Sequence, residues 1–345
     1  MWSPSFRCVV RAGGDRSWRV GHEQVDEFLA FAHGRARPAT VRAYAHDLKT
    51  FFSVVAKEPA EVTSRDVLDF VVAQQRPRAG AEKVVRISDG GAGLAASTIK
   101  RRLAALSSFY GYLVTRGDVT ANPVPRGLPT RKSRHRGERG VVPLVRGVRR
   151  LPRILEPVEV EALMAALRTQ RDRAMVQAML LGGLRRCEVL GLGLEDLRLG
   201  EWRVFVAEGK GGHQRLVPVS QTFFATVARY LNRERPTDAP SDRVFVALKG
   251  RTRGGALSAE GLDEMLSNAR GRAGLAHGTC HELRHTCFTR LREGGMAIEA
   301  LQAQAGHRSM ASTRVYLHLG ADWLAGEYKR AAEAIEAQAA VGALR

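Results

Sequence analysis

The sequence predicts a mainly α-helical protein of two domains, with a small antiparallel β-sheet confined to the second. Three observations carry this. Apolar residues recur at helical spacing in four successive segments before residue 118. A strongly basic stretch with Gly and Pro, residues 126–153, then breaks the pattern. Beyond it, two short β-rich runs flank a Gly-rich turn among further helical segments. The chain has 345 residues, enough for about two domains, and 44 % of them are apolar, enough for real cores.

Residues 1–20 are polar and read as irregular. Val25, Phe28, Leu29 and Ala32 then recur at helical spacing. After Pro38, Thr40 opens a second helix that buries Val41, Tyr44, Leu48, Phe51 and Phe52. Thr63 or Ser64 caps a third, with Val67, Leu68, Phe70, Val71 and Val72 inside. Residues 76–96 are Gly-rich and charged and read as a loop. Ser97 caps a fourth helix running to Thr115, with Ile99, Leu103, Leu106, Phe109, Tyr110 and Leu113 on its apolar face and Lys100, Arg101 and Arg102 on its polar face. Residues 21–118 are thus a four-helix bundle.

Residues 119–153 form a basic linker. From 126 to 153 it holds ten Lys or Arg against a single acid, Glu138. Like charges at that density call for a counter-surface, so Arg131, Lys132, Arg134 and Arg136 read as a strap on phosphates rather than a solvated tether. The second domain, 154–325, opens on a helix at Pro157, followed by a buried helix from Arg171 to Leu181. Trp202–Ala207 and Arg215–Val219 make a hairpin around Glu208–Gly212, and Arg243–Ala247 reads as a further strand. Helices are expected at 258–273, 280–293, 296–304 and 309–318, with a last amphipathic helix over 322–340. Residues 326–345 read as a C-terminal helix, either packed on its own domain or docked on a neighbour.

Composition bounds the function. Fifty-four Lys and Arg against 35 Asp and Glu give a formal charge of +19, which points to a polyanionic partner, foremost nucleic acid. The alternative is a genome that favours Arg codons. No apolar run approaches the ~18 residues of a membrane helix, and the N-terminus lacks the pattern of a signal peptide, so the cytoplasm is expected. The four cysteines are scattered and read as reduced thiols. Cys280, His281, His285 and Cys287 match no common zinc spacing, so no metal is expected.

Several local patterns carry chemistry. His281, Arg284 and His285 share one helix face at i, i+3 and i+4, as in a salt-bridged surface or an anion site. Arg185 follows an apolar helix, where a guanidinium needs a partner; Glu188 is in reach, as an internal salt bridge or as a support aiming Arg185 at a phosphate. Lys210 stands between glycines at a hairpin tip, where the backbone can approach a ligand. Gly306-His307 precedes Tyr316, and a tyrosine near cations can act as a nucleophile.

Taken together and in order, these segments resemble the tyrosine recombinases, the phage-integrase superfamily. Gly183-Leu-Arg185-x-x-Glu188, Gly209-Lys210-Gly211, His281-x-Leu-Arg284-His285-Thr286, and Leu301-Gln-x5-His307 through Ser312-Thr313 to Tyr316 resemble the family's catalytic boxes. Thr98-Ile-Lys-Arg-Arg-Leu103 followed by Phe109-Tyr110 resembles the helical, SAM-like core-binding domain, which implies Lys100, Arg101 and Arg102 as DNA contacts. The likeness spans about 21–325. Phe288, where a small residue is common, and Ala305, where Leu is usual, depart from it.

The resemblance implies a C-shaped clamp around DNA and strand cleavage through a 3′-phosphotyrosyl link. It implies Tyr316 as nucleophile, Arg185, Arg284 and His307 on the phosphate, Lys210 as proton donor to the 5′ oxygen, and His281 as partner of the tyrosine proton. Glu188 and His285 support them. No cofactor, ATP or Mg²⁺ is implied. The partners are two double-stranded recombination sites, four protomers, and an accessory protein or partner recombinase. About twenty residues precede the first helix, so a simple enzyme without an arm-binding domain is expected. The long loop and linker favour integration or recombination of a mobile element over chromosome or plasmid dimer resolution. A silent DNA-binding regulator on the same scaffold, a type IB topoisomerase and a basic RNA binder are the rival classes.

Overall fold

A computed structural model describes residues 2–10, 16–76, 93–125, 127–129, 141–142, 144–145, 152–207, 214–306 and 313. The chain divides into two compact units, Met1–Arg149 and Arg150–Arg345.

In the first unit, four helices surround an aromatic core. They are α1 (Glu23–His33), α2 (Pro38–Val55), α3 (Ser64–Gln75) and α4 (Ala96–Arg116). Pro38 occupies the first turn of α2, where its missing N–H costs nothing, so the helix starts two residues before Thr40. Thr63 caps α3 in a reciprocal capping box with Asp66. Gly117, at φ +87°, ends α4. Phe109 of α4 lies edge-on to Phe28 of α1 at 5.5 Å and to Phe52 of α2 at 6.0 Å, so one ring ties three helices. Residues 77–92, most of the expected loop, lie outside the described residues.

The irregular reading of residues 1–20 is corrected. β1 (Arg7–Val10) pairs antiparallel with β2 (Arg16–Arg19), in register Arg7↔Arg19 and Cys8↔Trp18. Trp18 is 8 % exposed and Val20 wholly buried in the helical core. The anchor is tertiary: Asp26 of α1 accepts from the Val20 N–H at 2.6 Å. A four-residue strand rich in Arg carries too little alternation to announce itself. Further on, β3 (Leu128–Pro129) pairs with β4 (Val141–Val142). Arg131, Lys132, Arg134 and Arg136 lie outside the described residues.

The second unit is built on α6 (Gln170–Leu181), whose Ala174, Met175, Val176, Ala178 and Met179 are fully buried. α5 (Pro157–Ala166), α8 (Gln221–Arg233), α9 (Ala259–Ala273) and α10 (Cys280–Glu293) contribute to the same core, and α11 (Ile298–Ala305) packs on α10 through Phe288, Leu301 and Ala305. The sheet has three antiparallel strands, β5 (Leu197–Arg198), β6 (Arg203–Val206) and β7 (Arg215–Pro218). Val204, Val206 and Val217 point to the core. α7 (Arg186–Gly191) and α8 were not expected from the sequence; α8 buries Phe223, Phe224, Val227 and Tyr230 along one face.

Arg243–Ala247 is not a strand. Val244 donates to the Leu192 carbonyl on one side and Ala247 to that of Gly255 on the other. Each neighbour offers one isolated bridge, so no ladder forms. Among the described residues no helix is long and apolar enough to cross a membrane. The segments expected as helices at 322–340 and, apart from Thr313, 309–318 lie outside the described residues.

Replacing Phe109 with Ala should destabilise the first unit by about 3–5 kcal/mol through the lost ring and the cavity left behind. Urea unfolding followed by near-UV signals of the aromatic core reads this directly.

Candidate active site

Arg185 stands at the N-cap of α7, immediately after Gly183 and Leu184 turn the chain out of α6. Gly183 has φ +65°, and a Cβ there would lie 2.5 Å from the Phe288 ring, so glycine is required by both conformation and space. Phe288, the departure noted in the sequence, is therefore matched to Gly183, and the Arg284 guanidinium lies over the same ring at 4.7 Å.

Glu188, one turn into α7, gathers the site. It is 4 % exposed. Arg185 donates to it from Nη1 at 2.7 Å and from its backbone N–H at 2.8 Å. Arg215 of β7 grips both carboxylate oxygens, at 3.0 and 2.9 Å, in a two-pronged fork. Arg284 lies 3.8 Å away. Burial pushes the Glu188 carboxyl up, but the Arg215 hydrogen bonds and charge, joined by those of Arg185, overcome it and hold the pKa at about 2. One carboxylate among three guanidiniums leaves surplus positive charge.

The three arginines also share the end of α11. Arg215 Nε donates to the Gln304 carbonyl at 3.2 Å, Arg284 Nη2 to Ala305 at 2.6 Å, and Arg185 Nη2 to Gly306 at 3.4 Å. These are consecutive carbonyls at a helix C-terminus, where orphan acceptors and the helix dipole favour cations. Gly306, at φ +60°, lets the Arg215 guanidinium sit there; a Cβ would approach it to 3.1 Å. Gln304 Nε2 links α11 to the Gly182 and Pro218 carbonyls at 3.1 and 3.0 Å. Arg284 is 3 % exposed and also donates to the Gly183 carbonyl.

Arg185, Arg284 and His281 line an open cavity of about 650 Å³, together with Arg270 of α9. His281 projects from the first turn of α10, which Thr279 caps in a box with Glu282. Desolvation and then the charges of Arg284 and Arg185 lower the His281 pKa below 6.5. A neutral His281 is therefore present at neutral pH, able to accept a proton. Its Nε2 is 2.9 Å from that of His285, and such a contact takes one N–H and one bare nitrogen. The structure thus brings together Arg185, Glu188, His281, Arg284 and His285. Lys210, His307 and Tyr316 lie outside the described residues; β7 begins shortly after Lys210 in the chain and α11 ends shortly before His307.

Arg215 was missed from the sequence. Its one signal was position: an Arg opening a strand of mostly apolar residues, just after the hairpin turn. The cysteines do not converge. Cys287 is buried, with burial pushing its thiol up to about 12, whereas Cys280 faces Asp263. Of the fourth helix's cations, Lys100 is exposed, Arg101 pairs with the buried Asp47 at 2.5 Å, and Arg102 turns inward onto Gln74 at 2.6 Å.

The family comparisons agree with this frame. The phage integrase family matches residues 153–322, and the phage integrase N-terminal SAM-like domain matches residues 25–117. Tyrosine recombinase XerC of Chromohalobacter salexigens is 32 % identical over 320 residues, 90 % of this chain and 95 % of that one. XerC of Pelotomaculum thermopropionicum is 29 % identical over 326 residues, 89 % of this chain and 96 % of its own. The XerH site-specific recombinase bound to a palindromic difH substrate shares the fold, with a TM-score of 0.62 at 19 % identity over 89 % of this chain and 84 % of that one. The chain belongs to the tyrosine recombinases of the phage integrase family, and its activity is site-specific DNA recombination.

Glu188 yields a pH prediction. Its folded pKa lies below the ordinary 4.5, so its stabilisation is present above pH 4.5 and is lost as pH falls toward about 2. Urea unfolding from about pH 7 to pH 3 should show wild type losing up to roughly 2 kcal/mol more than Glu188→Gln over that window. Parallel pH curves would remove Glu188 as the titrating group.

Proposed function

We propose that this protein cuts and rejoins DNA strands through a covalent link between Tyr316 and a 3′ phosphate. The observation that carries the reading is the pairing of Arg185 and Arg284 on the wall of one cavity, beside a His281 kept neutral. A phosphodiester under attack gathers negative charge on its non-bridging oxygens. Two fixed guanidinium forks match that charge and need no reorganisation as it develops.

In this mechanism the Tyr316 oxygen attacks phosphorus and its proton passes to His281. The bond to the 5′ oxygen breaks, and Lys210 supplies the proton that oxygen takes up. His307 donates a hydrogen bond to the phosphate. The phosphotyrosyl bond keeps the free energy of the broken link, so a 5′ hydroxyl from a second duplex reverses the steps and completes the exchange. Arg185 is held by Glu188, and His285 supports His281 through the shared proton. Lys100 and the strap residues Arg131, Lys132, Arg134 and Arg136 bind backbone phosphates, and four protomers act on two sites.

Within this activity we assign the protein to a mobile element, on the length of the 76–96 and 126–153 segments. The likeness to XerC chains over about nine-tenths of their length favours a second reading, the resolution of chromosome or plasmid dimers. A nicked-duplex trapping assay without metal or ATP separates the two: an adduct forms on the gene's own genomic flanks in the first case and on a chromosomal resolution site in the second.

Tyr316→Phe should retain DNA binding and abolish the DNA-linked band on a denaturing gel; a persisting band would place the nucleophile elsewhere. Lys210→Ala should slow cleavage of ordinary DNA by about 10²-fold or more. A substrate with a more acidic 5′ leaving group should restore most of that rate, and lack of rescue would refute the proton-donor role.

A further inference from the structure

We propose that the β1–β2 ribbon is a separate DNA-contacting element that binds backbone phosphates through Arg7, Arg16 and Arg19. The inference rests on the reading that the protein acts on duplex DNA. It extends that reading to a segment outside the SAM-like match, which begins at residue 25.

The first observation is a charge conflict within the ribbon. Arg7 and Arg19 stand directly opposite each other in the antiparallel register, and both are exposed. Like charges in that position destabilise a strand pair. No carboxylate among the described residues pairs with either. The ribbon keeps such a pair at a cost that an external anion removes.

The second observation is on the other face. Arg16 and Trp18 line an open groove of about 760 Å³ with Arg42 and His46 of α2 and Arg101 of α4. The acid beneath, Asp47, is 3 % exposed and already paired with Arg101. The groove wall is therefore cationic, with an aromatic edge. His46 is consistent with this potential: burial and the Arg42 and Lys49 charges lower its pKa, and its ring stacks on Phe6 at 3.9 Å.

The third observation is rigidity. Trp18 and Val20 sit in the helical core, the Ser5 N–H donates to the Val20 carbonyl at 3.0 Å, and Asp26 holds the Val20 N–H. The arginines are displayed on a fixed support, so little backbone order remains to be lost on binding. Val9 and Val10, exposed at the end of β1, suit apolar contact with the deoxyribose beside the phosphates. The spacing of positive charge on both faces of a two-stranded ribbon fits a duplex, whose phosphates flank the ribbon on either side.

The test compares the full-length protein with Arg7→Ser/Arg16→Ser/Arg19→Ser, titrated against a random-sequence duplex of about 40 base pairs over a range of salt. Random sequence suffices because phosphate contacts do not depend on the target site. The variant should lower the slope of log affinity against log salt by about 2–3, near 0.9 per lost phosphate contact. The corresponding Lys variant, Arg7→Lys/Arg16→Lys/Arg19→Lys, should keep the slope. Melting temperature should be unchanged or higher in the Ser variant, since the Arg7–Arg19 repulsion is gone. An unchanged slope in a folded variant overturns the proposal, including the case of weaker affinity at constant slope, which would make the ribbon a brace for α1 and α2. If wild type itself fails to bind duplex DNA, the functional reading falls and this one with it.

Discussion

The buried carboxylate of Glu188 is the constraint on which the catalytic unit depends. Three guanidiniums from three different elements meet on it or beside it: Arg185 from the start of α7, Arg215 from β7 and Arg284 from α10. Without the carboxylate they would repel one another in a poorly hydrated place. Without the guanidiniums the carboxylate would have to take a proton. The cluster is stable only when complete, which makes it a device for fixing relative positions as much as a source of stability.

The end of α11 supplies the rest of the compensation. The carbonyls of Gln304, Ala305 and the capping Gly306 each accept from a different one of those arginines. A short helix of eight residues is thereby fastened by charge rather than by apolar area alone. In the sequence, His307 and Tyr316 follow that helix and Lys210 precedes β7. The arginine cluster therefore ties together the start of α7, β7, α10 and the end of α11. Placing cations before the reaction begins is what makes them effective on charge that develops only in the transition state.

In the first unit, positive charge is handled in two ways. Arg102 is drawn inward, its side chain 16 % exposed, onto Gln74, and Arg101 neutralises Asp47. These contacts position α4 against α2 and α3. The ribbon arginines and Arg42 are instead left on the surface, with no carboxylate partner among the described residues. A formal charge of +19 is thus not one undifferentiated coat. Part of it is internal structure, and part faces outward.

Helical periodicity and the capping residue Thr63 were legible because each depends on neighbours a few residues away, whereas Ser97, expected to cap α4, lies inside that helix, which begins at Ala96. Arg185, Glu188, His281, Arg284 and His285 were legible too, because helical spacing and a family pattern both single them out. The β1–β2 ribbon, the helix α8, the loss of the strand at 243–247 and the role of Arg215 were not legible. Trp18 is inward only because α1 and α2 are there to receive it, and Arg243–Ala247 lacks a ladder only because its two neighbours each stop after one bridge. Arg215 and Glu188 are 27 residues apart, and Arg185 and Gly306 are 121 apart. The sequence by itself determined the helical class, the division into a bundle and a mixed second domain, and the chemical types at the site. The tertiary structure alone decided which arginine holds which carbonyl, since a buried charge selects its partner by proximity in space.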